Sequence, residues 1–186
     1  MIKEFKEDMM NTFKMSDLRL MHYFLGIEIN QEEEVIFISQ KKYIENLLKK
    51  FKMEGCKTVT TPLVTNKRFK KQDGLMKADA SIYKSLIGSL LYIIATRSDI
   101  MYATSLLSSF MQIPSQVHYG VAKRILRYMQ GTKEYSIWYK STTNSRLIGY
   151  TDSDWAGSVD DMKSTSSYAS HKDLEYSLGY QRSKTH

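Results

Sequence analysis

HYFLGIEINQEEEVIFIS, residues 22–39, decides how this chain starts to fold. The run HYFLGIEI (22–29) is rich in β-branched and aromatic residues, and VIFIS (35–39) is a second such run. The acidic NQEEE between them makes the pair a β-hairpin. Glu28 sits on the outer face of the first strand, where a charged residue is ordinary and carries no catalytic reading by itself. Downstream, Ser39 can cap a helix running through about Met53. Tyr43, Ile44, Leu47, Leu48 and Phe51 follow helical spacing there, which turns Lys42, Lys49 and Lys52 to the other side. Upstream, residues 2–14 can form a short amphipathic helix with Ile2, Phe5, Met9 and Phe13 on one stripe.

Periodicity fades over residues 54–80, which contain Gly55, Pro62, Gly74 and the basic knot KRFKK (67–71). That composition reads as a linker or long surface loop. Three helices follow. The first, about 81–96, buries Ile82, Leu86, Leu90, Ile93 and Ile94. The second starts near Ser98 or Asp99, either able to act as N-cap, and ends before Pro114. The third, about 115–130, places Val117, Val121, Ile125 and Met129 on a core stripe and Lys123, Arg124 and Arg127 outside, with Gly131 as its stop. YSIWYK (135–140) and RLIGYTD (146–152) then read as two strands joined by STTNS, a second hairpin.

Composition bounds the function. A length of 186 residues suits one ordinary domain or two small ones, and 42% hydrophobic with 25% charged residues is globular. The net charge of +7 leans toward polyanionic partners. A single cysteine, Cys56, allows no internal disulfide, and with four scattered histidines it gives no zinc-ligand spacing. The N-terminus has no signal-peptide core, and the most apolar stretch, LIGSLLYIIA (86–95), is far short of the ~20 residues that span a bilayer. The expected location is intracellular, cytoplasmic or nuclear, without secretion or membrane insertion.

Chemistry concentrates in RLIGYTDSDWAG (146–157), where an apolar run delivers Asp152 and Asp154 two positions apart. Two Mg²⁺ ions about 4 Å apart drive in-line attack on phosphodiesters, and such hard cations need carboxylates from several chain segments. An acidic pair beside a glycine is more often a turn, so spacing alone leaves both readings open. The helix faces around Lys42 and Lys49, and around Lys123, Arg124 and Arg127, can grip phosphates or simply be solvated. Tyr23, Tyr43, Tyr150, Trp138 and Trp155 can stack on bases or line the core edge. His118 has no visible chemical partner and reads as structural.

Several long motifs are collinear with one family. They are MSDLRLMHYFLGIEI (15–29), ISQKKYIENLLKKF (38–51), TPL (61–63), YKSLIGSLLYIIATRSDIMYATSLLSSFM (83–111), AKRILRYMQGT (122–132) and GYTDSDWAGSVDDMKSTSSY (149–168). In that order they resemble the Pol polyprotein of copia-type LTR retrotransposons, from residue 1 to about 168. The family carries a reverse transcriptase followed by a ribonuclease H. The resemblance implies an α+β fold: a β-hairpin plus a helical thumb- and connection-like region, followed by a truncated ribonuclease H-like α/β sheet. Residues 1–53 would be the end of the polymerase palm with a thumb helix, 54–80 a linker, 81–132 a helical connection, and 133–186 a truncated ribonuclease H-like segment with a divergent tail.

Residue roles follow from the same resemblance. Phe24, Leu25 and Gly26 fall on the hairpin that steadies the primer terminus. Asp152 falls on the first strand of the ribonuclease H fold, whose aspartate is a metal ligand for the family's Mg²⁺, with Asp154 beside it in an incomplete, vestigial site. The alternative reading, carried by charge and not by the resemblance, is a basic non-catalytic module derived from a transposable element that holds an RNA–DNA hybrid or a single strand through Lys42, Lys49, Lys67, Arg68, Arg124 and Arg127. The departures point to a polypeptide without catalysis of its own and without tightly bound Mg²⁺. The family's Tyr-Val-Asp-Asp turn precedes the hairpin, and no such motif occurs between Met1 and His22. Glu175 is the only glutamate after Asp152, and its surroundings do not follow the family. Arg19, Ser98, Met162 and Ser167 stand where the family favours Gly, Pro, Arg and Gly, each one base change away, as in a decayed element.

Overall fold

The computed structural model describes residues 1–16, 19–64, 69–70, 74–140, 147–153, 166–172 and 179–180, with backbone alone at 147, 152–153, 166–172 and 179–180. Five helices are described: α1 (Ile2–Thr12), α2 (Lys41–Lys50), α3 (Ala80–Ile93), α4 (Met101–Ser108) and α5 (Gln116–Gly131), with a 3-10 turn at Ser98–Ile100 leading into α4. The strands are β1 (Tyr23–Phe24), β2 (Ile27–Gln31), β3 (Val35–Ser39), β4 (Tyr135–Lys140), β5 (Leu147–Ser153), β6 (Ser166–Lys172) and β7 (Gly179–Tyr180). One antiparallel sheet has the order β1-β2-β3-β4-β7, and β5 and β6 form a separate two-stranded ribbon.

The hairpin expected from the opening stretch forms between β2 and β3, with Ile29 opposite Ile38. Its first run, however, is not one strand. The chain reverses at Leu25 and Gly26, so that Phe24 faces Ile27 and a second, tighter hairpin precedes the first. YSIWYK forms β4 and LIGYTDS forms β5, but the two do not pair with each other. β4 lies against β3, Phe37 opposite Trp138, with the two rings edge to face at 4.8 Å, and β5 pairs with β6. A cross-strand aromatic contact of this kind favours the β3 and β4 register over a local hairpin.

The helices meet in one apolar cluster. Ile44, Leu47 and Leu48 of α2 pack with Leu86, Ile87, Leu90 and Ile93 of α3, Leu107 of α4, and Ile125, Leu126 and Met129 of α5. Ile82, expected in that core, is exposed instead, and the buried position one residue later is Tyr83, whose hydroxyl donates to the Leu107 carbonyl at 2.8 Å. The core therefore joins α2 to α3, α4 and α5 across the irregular stretch between them. The described parts of that stretch around Lys57, Thr61 and Met76 lie along α5 as a strap. Arg124 donates to the Thr61 carbonyl at 3.2 Å, Arg127 to the Lys57 carbonyl at 2.7 Å, and Gln116 N–H to the Met76 carbonyl at 2.9 Å.

Helix ends are set mainly by local residues, with one start met from a strand. Asp79 caps α3, accepting from the amides of Ser81 and Ile82 at 2.8 and 3.0 Å. Ser115 caps α5: it accepts from the His118 amide, and its own amide donates to His118 Nδ1 at 3.1 Å, which gives His118 its structural role. Ser39 does not cap α2; the N-cap is Gln40, which makes no side-chain capping bond. The free Lys42 amide is met instead by the Glu28 carboxylate of β2, at 3.2 Å. α2 ends at Lys50, where Lys52 takes φ 55° and the Met53 amide returns to the Leu48 carbonyl at 2.8 Å.

Neither Ser98 nor Asp99 caps α4, because Asp99 has another partner. Arg97, only 1% exposed, holds both Asp99 carboxylate oxygens, Nε to Oδ1 at 2.9 Å and Nη2 to Oδ2 at 2.7 Å. Its Nη1 donates to the Thr132 carbonyl at 2.9 Å and Nη2 to Thr132 Oγ1 at 2.6 Å, at the C-terminus of α5. The Tyr128 and Tyr135 rings flank the guanidinium, 5.7 and 5.3 Å away. Next door, Thr96 Oγ1 donates to buried Gln40 Oε1 at 2.7 Å. The stretch after α3 thus grips the start of α2, the end of α5 and the start of β4.

Burial alone would raise the Asp99 carboxyl, but the hydrogen bonds and charge of Arg97 outweigh it and leave the pKa below its ordinary 3.8. Tyr128, desolvated and beside the Asp99 carboxylate, is pushed up to about 12. Two outcomes follow. Leu48→Ala should cost about 2–5 kcal/mol in urea unfolding, and helical and near-ultraviolet signals should still melt in a single transition because α2 shares its core with α3 to α5. A depressed carboxyl stabilises the fold fully above its unfolded value, and that stability is lost as pH falls through the lower folded value. Asp99→Asn should therefore narrow its stability deficit against the parent chain as pH falls below about 4, measured by denaturant titration.

Candidate nucleic-acid interface

The hairpin tip combines three unusual features. Leu25 and Gly26 both have positive φ, 46° and 79°, which closes a two-residue reversal between Phe24 and Ile27. Such turns favour Asn-Gly or Asp-Gly, and a leucine in the left-handed region costs about 1–2 kcal/mol. Leu25 is also 71% exposed, with Tyr23 and Phe24 beside it more than half exposed. A strained backbone that displays a large apolar side chain to solvent is a pattern that clusters at functional sites.

The tip is backed by helices. A Cβ added at Gly26 would lie 3.2 Å from the Tyr92 hydroxyl oxygen and 3.6 Å from Cδ2 of Tyr43, so a larger residue would press on Tyr92 and strain the positive φ. The Tyr43 and Tyr92 rings stand 4.8 Å apart, tilted by 57°. Lys42 Nζ lies 5.7 Å from the centre of the Tyr23 ring. Phe24, Leu25, Gly26 and Lys42 therefore come together at one corner. Lys49 follows Lys42 by seven residues on the same helix face, about 10 Å further along the axis. It faces Glu54 at 3.8 Å, an exposed pair of small energetic weight.

The remaining sequence-derived candidates are placed differently. Arg124 and Arg127 are half-buried and hold the strap through its carbonyls. Lys67, Arg68 and Asp154 lie outside the described residues. Asp152 lies in β5, its backbone opposite Ser167 of β6. Among the described residues no group of three or more His, Cys, Asp or Glu could hold a metal ion. Glu28 serves as the remote cap of α2 and accepts from Ser39 Oγ at 3.5 Å. An open cleft beside it is lined by Asn30, Lys41, Lys133 and Glu134, with Lys41 on Glu134 at 2.8 Å and Lys133 on Glu45 at 3.6 Å. No described helix is long and apolar enough to cross a membrane.

Sequence reading overlooked Tyr92 and Arg97. An isolated glycine within a strand-like run signals a reversal or a close backbone approach, and Gly26 carries both. No comparable local signal marks Tyr92, which reaches the hairpin from a helix 66 positions after Gly26.

Comparison with known proteins bears on the origin of this arrangement. Residues 1–65 match the family model described as reverse transcriptase (RNA-dependent DNA polymerase). The chain is 38% identical over 162 residues to the retrovirus-related Pol polyprotein from transposon RE1 of Arabidopsis thaliana, covering 87% of this chain and 11% of that protein. It is 34% identical over 168 residues to the corresponding polyprotein from transposon RE2 of the same plant, covering 90% and 12%. An uncharacterized mitochondrial protein of Arabidopsis thaliana is 35% identical over 161 residues, covering 85% of this chain and 65% of that protein. The chain thus spans 11–12% of the length of the two polyproteins. No solved structure matches it. Over the segment they share, the chain belongs to the Pol polyprotein family of copia-type retrotransposons.

Proposed function

We propose that the chain is a primer-grip-bearing segment of a retrotransposon reverse transcriptase and ribonuclease H polyprotein, and that the part these residues play in it is to bind nucleic acid. The observation that carries this is the exposed, positive-φ Leu25 at the hairpin tip. Its strain and its exposure both oppose folding, and a partner against which an apolar side chain can pack would offset them. Sugars and base faces at the end of an RNA–DNA hybrid provide such a surface. Lys42 and Lys49 line up behind the tip for the phosphates, and the net charge of +7 assists encounter.

The residues present carry only part of the family's catalytic sets. The family's paired polymerase aspartates precede the hairpin, and residues 1–22 hold no Tyr-Val-Asp-Asp. Asp152 is the position inherited from the ribonuclease H strand, and with Asp154 it supplies two carboxylates where Mg²⁺-dependent hydrolysis draws on more. The family's Mg²⁺ would neutralise charge developing on a phosphate; in this chain, binding relies on lysines and the tip.

Fluorescence anisotropy with a labelled RNA–DNA hybrid across a salt series tests the reading. Affinity should fall steeply with salt, and Lys42→Ala should weaken binding while reducing the slope of log K against log salt by about 1. EDTA should leave the affinity unchanged. Binding without salt dependence, or hybrid cleavage in Mg²⁺ that Asp152→Asn abolishes, would overturn it. The tip makes a separate prediction. Leu25→Asn relieves the left-handed strain and should stabilise the chain by about 1 kcal/mol, yet weaken hybrid binding; a variant that gains stability and retains affinity would remove the tip from the interface.

A further inference from the structure

We propose that Tyr92 of α3 is the positioning residue of the hairpin tip, fixing from the helical core the pose in which Phe24 and Leu25 are presented. This rests on the nucleic-acid reading of the tip given above. The tip hairpin has little of its own to hold its orientation: β1 has two residues, Tyr23 opposite Glu28 and Phe24 opposite Ile27, with the Ile29 amide returning to the His22 carbonyl at 2.9 Å. As the short edge strand of the five-stranded sheet, β1 is held by pairing on one side only, and its tip projects past that pairing. The wall it leans on is Tyr92. The hydroxyl oxygen of this residue is the nearest atom to a Cβ built at Gly26, at 3.2 Å, with its Cε1 at 3.5 Å.

Two further contacts make the arrangement directional. Tyr43 stands beside Tyr92, rings 4.8 Å apart, and its Cδ2 lies 3.6 Å from the same Cβ position, so it braces the Tyr92 ring and completes the wall. On the α2 side, Lys42 lies over the Tyr23 ring and its amide is held by Glu28 of β2. The hairpin is thus moored at Tyr23, Gly26 and Glu28, and Leu25 is the part left free to reach outward. Tyr92 itself is 36% exposed, whereas its helix neighbours Leu90 and Ile93 are fully buried. Its position therefore contributes little to the core cluster and much to the tip. Gly26 and Tyr92 form a matched pair: the missing Cβ admits the ring, and the ring sets the angle.

A double-mutant cycle with the full chain tests this, read by hybrid anisotropy, thermal unfolding and amide hydrogen exchange. Tyr92→Ala should weaken binding of the labelled RNA–DNA hybrid by about three- to tenfold, with the unfolding transition retained. Leu25→Ala should weaken it to a similar extent, and the double variant should be no worse than either, because Tyr92 acts through the tip. Tyr92→Phe, which keeps the ring wall, should rescue both affinity and exchange. In Tyr92→Ala, exchange at the Ile27 and Ile29 amides should speed up while Phe37 and Ile38, further into the sheet, stay protected. Additive losses, or a Tyr92→Ala protein with unchanged exchange at Ile27, would overturn the proposal. If the parent chain binds no hybrid, the nucleic-acid reading falls and the exchange data alone decide: faster Ile27 exchange upholds the positioning role, and unchanged exchange ends it.

Discussion

Arg97 is the constraint on which the helical half depends. A guanidinium that is 1% exposed must be neutralised and its donors filled, and Asp99 and Thr132 do both. Removing one partner of a buried pair of this kind costs about 3–5 kcal/mol, because the other is left charged and dry. The ion pair itself is local, two residues apart, but the Thr132 bonds are not. They tie the exit of α3 to the exit of α5, and the Tyr135 ring beside the guanidinium extends the tie to β4. Through Thr96 and Gln40 the same corner also sets where α2 begins.

That corner explains how a sheet and a helix cluster from distant parts of the chain share one frame. β4 leaves directly from the Arg97-bound end of α5, and its pairing with β3 brings the N-terminal hairpin back onto α2. Glu28 then completes the junction by capping α2 from β2. The candidate interface is the outermost product of this chain of contacts. Its tip stands at a sheet edge, moored to α2 and α3, and leaves exposed a leucine in the left-handed region.

Much of this was legible in sequence wherever the signal was local. Helical spacing found α1, α2, α3 and α5 to within a few residues, and Ile44, Leu47, Leu48, Leu86, Leu90, Ile125 and Met129 are buried. The β2 and β3 hairpin was readable because an acidic turn separates two apolar runs. Strand pairing beyond that hairpin was not. YSIWYK has the same composition whether it pairs with a neighbour or with β3, and only the Phe37 and Trp138 contact discriminates. The basic candidates divided for a similar reason: Lys42 and Arg124 look alike as exposed helix positions, but Arg124 has a carbonyl of the strap within reach. A periodicity argument has no view of a loop that folds back onto the helix.

The sequence by itself determined most element types, the apolar stripes and the kinship with copia-type Pol polyproteins. Local sterics and side-chain period act over a few residues, so these properties need no tertiary context. Tertiary structure alone decided that Asp99 faces Arg97 instead of capping α4, that Glu28 caps a helix it does not belong to, and that Tyr92 meets Gly26. Each of these satisfies a buried charge, an open amide or a bare backbone with a group that is near only after the chain has folded.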